Sequence, residues 1–157
     1  MAKESVYIET SLVSYLTARP NRDLVIAAHQ QLTKEWWENR RNDFDLFISQ
    51  VVMEEASAGN PEAAARRVTA LEGIPFLDVS NAAIKLADKL VKTHALPKKA
   101  AQDALHIGVA CVHGIDYVLT WNCKHIANAQ MYSAIDKTCR DAGYVTPIIC
   151  TPVELGE

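Results

Sequence analysis

Acidic and amide side chains stand at four places along this chain where they could do chemistry together: Glu9, the pair Glu54 and Glu55, Asp103, and Asn122. Each is tied to a β-rich run. Glu9-Thr10-Ser11 directly follows Ser5–Ile8. Ser49-Gln50 follows Leu46–Ile48 and opens a helix that carries Glu54 and Glu55. Thr120-Trp121-Asn122 closes the run that begins at Tyr117, and Asp103 lies near the start of the helix that feeds that run. Carboxylates gathered in one place repel each other, so they need a cation or a proton to coexist. Hard oxygen ligands, without cysteine or paired histidine among them, suit Mg²⁺ or Mn²⁺. Such an ion activates water and stabilises charge on a phosphodiester in transit.

Each residue also has a plainer reading. Glu9 is an acceptable acid at a strand end, stabilised by the helix N-terminus that follows. Glu54 and Glu55 project about 100° apart, so at most one of them faces a given site and the other is solvated. Asp103 sits in an alanine-rich helix, among Ala100, Ala101, Ala104 and Ala110, where an acid is either exposed or functional. His106, three residues on, faces nearly the same way and either orients the aspartate or enters the core. His125 lies close to Asn122, and His113 closes its helix at the negative end of the dipole. None of the three is read as a metal ligand.

The elements that must position these residues follow from periodicity and punctuation. Strands are expected at Ser5–Ile8, Leu46–Ile48, Pro75–Val79 (weakened by its proline), Tyr117–Thr120 and Ile148–Cys150. Helices are expected from about Asp23 to Asn39, from Asn60-Pro61-Glu62 into Ala63–Leu71, from a Ser80 cap through Leu90, from Lys98 to His113, and from Gln130 to Ala142. Gly114 and Gly143 mark the last two ends. Strands alternating with helices predict an α/β fold around a parallel sheet of about five strands. In such a sheet ligands bind beyond the carboxyl ends of the strands, which is where the four places fall.

The 157 residues suit a single domain spanning 1–157, and 49% apolar with 22% charged residues is the balance of a soluble globular chain. Met1–Val6 lacks the basic and long apolar regions of a signal peptide, and runs such as Ile107–Val112 are too short to span a bilayer, so a cytoplasmic protein is expected. Cys111, Cys123, Cys139 and Cys150 form no C-x-x-C pair and read as a reduced set. A zinc site from Cys123 and His125 would lack the close ligand pairs that such sites show. A net charge of −3 argues against a basic nucleic-acid coat, but not against an enzyme whose acidic cluster is balanced by a bound metal.

Taken in order, the motifs resemble those of PIN domains, and of the VapC-type toxin ribonucleases among them. Val6-Tyr7-Ile8-Glu9-Thr10-Ser11-Leu12-Val13-Ser14-Tyr15-Leu16 looks like their opening strand and acidic turn. Ile48-Ser49-Gln50-Val51-Val52-Met53-Glu54-Glu55 looks like the second motif, whose acid falls six residues after the serine, at Glu55. Asp103-Ala104-Leu105-His106-Ile107 resembles the third, and Leu119-Thr120-Trp121-Asn122 the fourth, which commonly reads Thr-x-Asp. The likeness covers nearly the whole chain. It implies a three-layer α/β/α sandwich and a Mg²⁺- or Mn²⁺-dependent endoribonuclease with Glu9, Glu55, Asp103 and Asn122 as catalytic and metal-binding residues. It also implies an RNA substrate, a small antitoxin partner and a homodimer. Glu9 stands where the family more often has aspartate. Asn122 stands where an acid is common, and brings an oxygen without charge.

Trp36-Trp37 and the following Arg40-Arg41 are expected to supply a core or dimer contact and solvated charge rather than a base-stacking surface. Lys98-Lys99, Arg66-Arg67 and Lys124 are candidate phosphate contacts. Two rivals remain. A metal-dependent phosphatase on a similar sheet would usually carry an Asp-x-Asp motif, absent here. A degenerate PIN module would bind RNA or a protein partner without cutting, and Asn122 is its best support.

Overall fold

The structure, a computed structural model, describes residues 2–156. Among them are five strands, β1 (Glu4–Ile8), β2 (Phe44–Ser49), β3 (Phe76–Leu77), β4 (Tyr117–Leu119) and β5 (Ile148–Cys150). Seven helices flank the sheet: α1 (Thr10–Thr17), α2 (Leu24–Asn39), α3 (Gln50–Ala56), α4 (Pro61–Ala70), α5 (Asn81–Lys92), α6 (Ala101–Val112) and α7 (Ala129–Asp141). Every strand pair is parallel, in the order β3-β2-β1-β4-β5. No described helix is long and apolar enough to cross a membrane.

That order places a topological switch between β1 and β4. The chain builds outward from β1 through β2 to β3, then returns to the other side of β1 for β4 and β5. The crevice beyond the carboxyl ends of β1 and β4 is where such a sheet binds ligands. The central strand is apolar on both faces, with Val6, Tyr7 and Ile8 fully buried, as helix-covered parallel strands require. The edge strand β3 is shorter than the expected Pro75–Val79. Pro75 has no N–H for the ladder, though its carbonyl accepts from the Ile48 N–H at 3.0 Å. Beyond Leu77 the backbone leaves the sheet, and the Asp78 carbonyl meets the His113 imidazole Nε2 at 2.7 Å.

Local sequence explains most helix ends. Asp23, Asn60, Ser80 and Asn128 each accept a backbone N–H from the first turn of α2, α4, α5 and α7, and Pro61 takes the first position of α4. The expected helix from Lys98 to His113 divides into a 3₁₀ turn at Lys98–Ala100 followed by α6.

Helix α6 carries both Asp103 and His106, so its seating decides where they point. It packs against α5 through Gly108, where an added Cβ would stand 2.6 Å from the Ala83 carbonyl oxygen. Neither partner there is a flexible side chain. Gly108→Ala is therefore expected to destabilise the fold by roughly 1–3 kcal/mol, the usual cost of overpacking, despite alanine's better helix propensity. Urea unfolding would check this, and a variant as stable as wild type would mean α5 and α6 can separate freely.

Candidate active site

The residues singled out for chemistry gather around the switch point. Glu9 ends the β1 ladder, its N–H still bonded to the Leu119 carbonyl at 3.2 Å. It is also the N-cap of α1, accepting the Ser11 N–H at 3.2 Å. The hydroxyls of Ser11 and Thr120 both donate to its Oε1. Glu9 is only 4% exposed and has no ion-pair partner among the described residues, so these three donors are what make its burial tolerable.

Ser49 closes β2, and α3 begins at the next residue. Of the two acids on this helix, Glu54 is exposed and Glu55 turns inward. Glu55 Oε1 accepts from the Thr10 hydroxyl and meets the His106 Nε2 at 2.6 Å, while Oε2 has no hydrogen-bond partner among the described residues. Partial burial alone would push the Glu55 carboxyl up. The hydrogen bond and charge of His106 and the Thr10 hydroxyl outweigh it and hold the carboxyl below the usual range. Glu55 is therefore ionised at neutral pH.

His106 is fully buried. It enters the core, one of the two roles its spacing along the helix allowed, and does not bond Asp103. Its Nδ1 meets the Tyr7 hydroxyl at 2.6 Å, and that hydroxyl lies 2.8 Å from the Ser49 hydroxyl. Glu9, Glu55 and His106 form the one group of potential metal-binding side chains among the described residues whose ligand atoms all lie within 4.8 Å of each other. An ionised carboxylate only accepts, so the His106 Nε2 in this arrangement carries the hydrogen and has no lone pair for a metal.

Asp103 belongs to a second group. Its Oδ1 accepts from the Asn122 Nδ2 at 3.1 Å, and its Oδ2 meets the His125 Nδ1 at 3.0 Å. The Asn122 Oδ1 accepts the His125 N–H at 3.1 Å, so the amide is oriented from both ends. Thr120 joins the two groups: its hydroxyl donates to Glu9 and accepts the Asn122 N–H at 2.9 Å. Hydrogen bonds thus join Glu9, Asn122 and Asp103 through Thr120, while Glu55 is held by a separate set and meets Glu9 by proximity. The donor set of carboxylate and hydroxyl oxygens, with one Glu55 oxygen unpartnered, fits a hard divalent cation.

Reading the sequence missed the three hydroxyls of Thr10, Ser11 and Thr120, which hold both glutamates, and the histidines that hold Glu55 and Asp103. The Glu-Thr-Ser and Thr-x-Asn triplets were the available signal. Other candidates move away from the chemistry. Arg66 donates to the Thr17 carbonyl, and Arg67 to the carbonyls of Ala56 and Ala58, so both pin α4 to its neighbours. Trp36 is buried, its indole N–H on the Leu155 carbonyl at 3.1 Å, and the Arg41 guanidinium lies 4.0 Å above the Trp37 ring. Trp36 thus takes the core role, one of the two expected of the pair, and Trp37 is half-buried beneath Arg41. Lys98, Lys99 and Lys124 are exposed and in no ion pair among the described residues.

No family model matches the chain, and no curated protein matches it. Among solved structures, the chain is similar to VapC20 of Mycobacterium tuberculosis, described as a Sarcin-Ricin loop cleaving toxin. The two are 16% identical and superpose with a TM-score of 0.60 over 79% of this chain and 95% of that one. At that identity the likeness is one of fold: the chain shares the α/β fold of that structure.

Proposed function

We propose that the protein is a Mg²⁺- or Mn²⁺-dependent ribonuclease that hydrolyses RNA phosphodiester bonds, the toxin of a type II toxin–antitoxin pair. One observation carries this reading. Two acids from different elements, Glu9 at the end of β1 and Glu55 on α3, come within 4.8 Å of each other beyond the carboxyl ends of a VapC-like sheet. Such crowding at a ligand-binding crevice is what a cation would relieve. Glu9, Glu55 and Asp103 would hold the ion, with Asn122 at its edge. A divalent ion there supplies an activated water and charge stabilisation at phosphorus.

The chain's own residues do the rest. Thr10, Ser11 and Thr120 fix the glutamate carboxylates, and Asn122 with His125 fixes Asp103. Lys98, Lys99 and Lys124 are placed to take backbone phosphates, as point charges suited to positioning rather than base reading. The toxin described for VapC20 motivates RNA as the substrate class and a small antitoxin as partner. Homodimerisation and a cytoplasmic setting complete the proposal.

The test is cleavage of end-labelled RNA by purified protein. Cutting is expected in Mg²⁺ or Mn²⁺ and none in EDTA, with activity restored on adding metal back. Cutting that is indifferent to EDTA would overturn the metal-dependent reading.

A second reading has one specific observation in its favour. The Asn122 amide oxygen already accepts the His125 N–H and its nitrogen donates to Asp103, so it adds no charge to the site and keeps only one lone pair free. A module that binds RNA without cutting would tolerate that loss. Retention of RNA with no cleavage in any metal would favour it.

A further inference from the structure

Tyr7 and His106 are buried polar groups that ligand binding alone does not explain. They form an ordered chain, Ser49 to Tyr7 to His106 to Glu55, with hydroxyl–hydroxyl, hydroxyl–Nδ1 and Nε2–carboxylate separations of 2.8, 2.6 and 2.6 Å. The parts come from four elements. Tyr7 is on β1, Ser49 ends β2, Glu55 is on α3 and His106 is on α6. No buried side-chain polar atom among the described residues lacks a partner. Such a network is costly if broken and rigid when complete.

The Nε2 side of the ring faces a carboxylate. Glu55 is ionised, so the Nε2 donates to it. The Tyr7 hydroxyl occupies the Nδ1 side of the ring and is itself paired with the Ser49 hydroxyl. The ring is held at both nitrogens, with its edge packed against Tyr7 at 5.7 Å between centroids. Only one oxygen of Glu55 is occupied, which leaves the other, Oε2, with its direction set.

We infer that Tyr7 and His106 are positioning residues, a buried relay that fixes the Glu55 carboxylate so that its unpartnered oxygen faces a divalent cation. His106 acts through Glu55 and is not itself a ligand. This rests on the proposed role of Glu55 as a metal ligand. It belongs with the outer-shell partners that orient a ligating carboxylate, whose loss typically weakens metal binding by about 10–100-fold.

The test uses Mn²⁺ alone as the probe, with the intact protein. Mn²⁺ affinity is read by electron paramagnetic resonance, and the fold by thermal melting in EDTA. His106→Asn keeps an acceptor near the Nδ1 position but cannot reach Glu55, and is expected to weaken Mn²⁺ by about 10–100-fold. His106→Gln places an amide N–H near the Nε2 position and is expected to recover most of that loss. Tyr7→Phe keeps the packed ring and removes the hydroxyl, and is expected to fall between the two. A purely structural role would lower the EDTA melting point of the three variants without this ranking in affinity. If His106→Asn fails to fold, Tyr7→Phe decides the matter: wild-type Mn²⁺ affinity there overturns the relay. Imidazole ¹⁵N resonances of the wild type should show a hydrogen on Nε2 both before and after saturating Mg²⁺. Loss of that hydrogen on adding Mg²⁺ would make His106 a ligand and also overturn the relay. Wild-type Mn²⁺ binding with equal affinity in His106→Asn refutes the relay and leaves the ribonuclease reading standing. Absence of Mn²⁺ binding in the wild type refutes both.

Discussion

Asp103→Asn is expected to lower metal-dependent RNA cleavage by about 100-fold or more, because several kcal/mol of charge stabilisation depend on the ligands that hold the ion. The fold should survive, for reasons visible at the site. An asparagine Oδ1 still accepts from the Asn122 Nδ2, and its own amide can donate to the His125 Nδ1 once that ring carries its hydrogen on Nε2. The present contacts of 3.1 and 3.0 Å are thus replaced in kind. Volume is unchanged and one negative charge leaves a crowded region, so melting in EDTA should match or exceed wild type. Paired measurements of cleavage and melting separate the two effects. Wild-type cleavage in Mg²⁺ by the variant would remove Asp103 from the metal shell and leave it as an anchor for the Asn122–His125 turn.

The order of strands and helices was legible because punctuation and pattern agree. Buried β1 reads as Val-Tyr-Ile, β5 lies where Ile148–Cys150 was expected, and the caps at Asp23, Asn60 and Ser80 fall where side-chain chemistry puts them. Edge strand β3 was overestimated because nothing in Phe76–Val79 reports that Asp78 is drawn off to His113. Ordered acidic places suggested the carboxylates themselves. Their division into two sets was not legible, since it depends on which donors meet them in space. His106 shows why: helical spacing puts it on the Asp103 side of α6, but it reaches Glu55, a partner fifty-one positions away in sequence. The paired arginines hold contacts of their own that the sequence does not report. Charge is visible in sequence, but the carbonyls of Thr17, Ala56 and Ala58 that absorb Arg66 and Arg67 are not.

Asn122→Asp should produce the largest change in how stability responds to metal. At present the amide Nδ2 faces the Asp103 Oδ1 at 3.1 Å, donor to acceptor. An aspartate there keeps the Oδ1 that caps the His125 N–H but turns the other contact into two facing carboxylate oxygens. Without metal, this exchanges a charge-assisted hydrogen bond for like-charge repulsion, a cost of about 1–3 kcal/mol. The EDTA melting temperature should fall accordingly, by several degrees for a chain of this size. One of the two aspartates would then have a folded-state pKa raised above its unfolded value. Such a group destabilises the fold at a pH above the raised value, and the penalty is relieved as pH falls through it. The deficit relative to wild type should therefore shrink on mild acidification. With Mg²⁺ or Mn²⁺ the order reverses. A fourth carboxylate offsets repulsion between neighbouring divalent ions and tightens their binding, and binding stabilises the folded state by mass action. The variant should gain more than wild type from the same metal addition and reach half-maximal cleavage at a lower metal concentration. Calorimetric melting with and without metal, at neutral and mildly acidic pH, reads every part of this. Equal metal-induced shifts in the two proteins would place Asn122 outside the metal's reach, as a clamp on Asp103 alone, and would favour the module that binds RNA without cutting it.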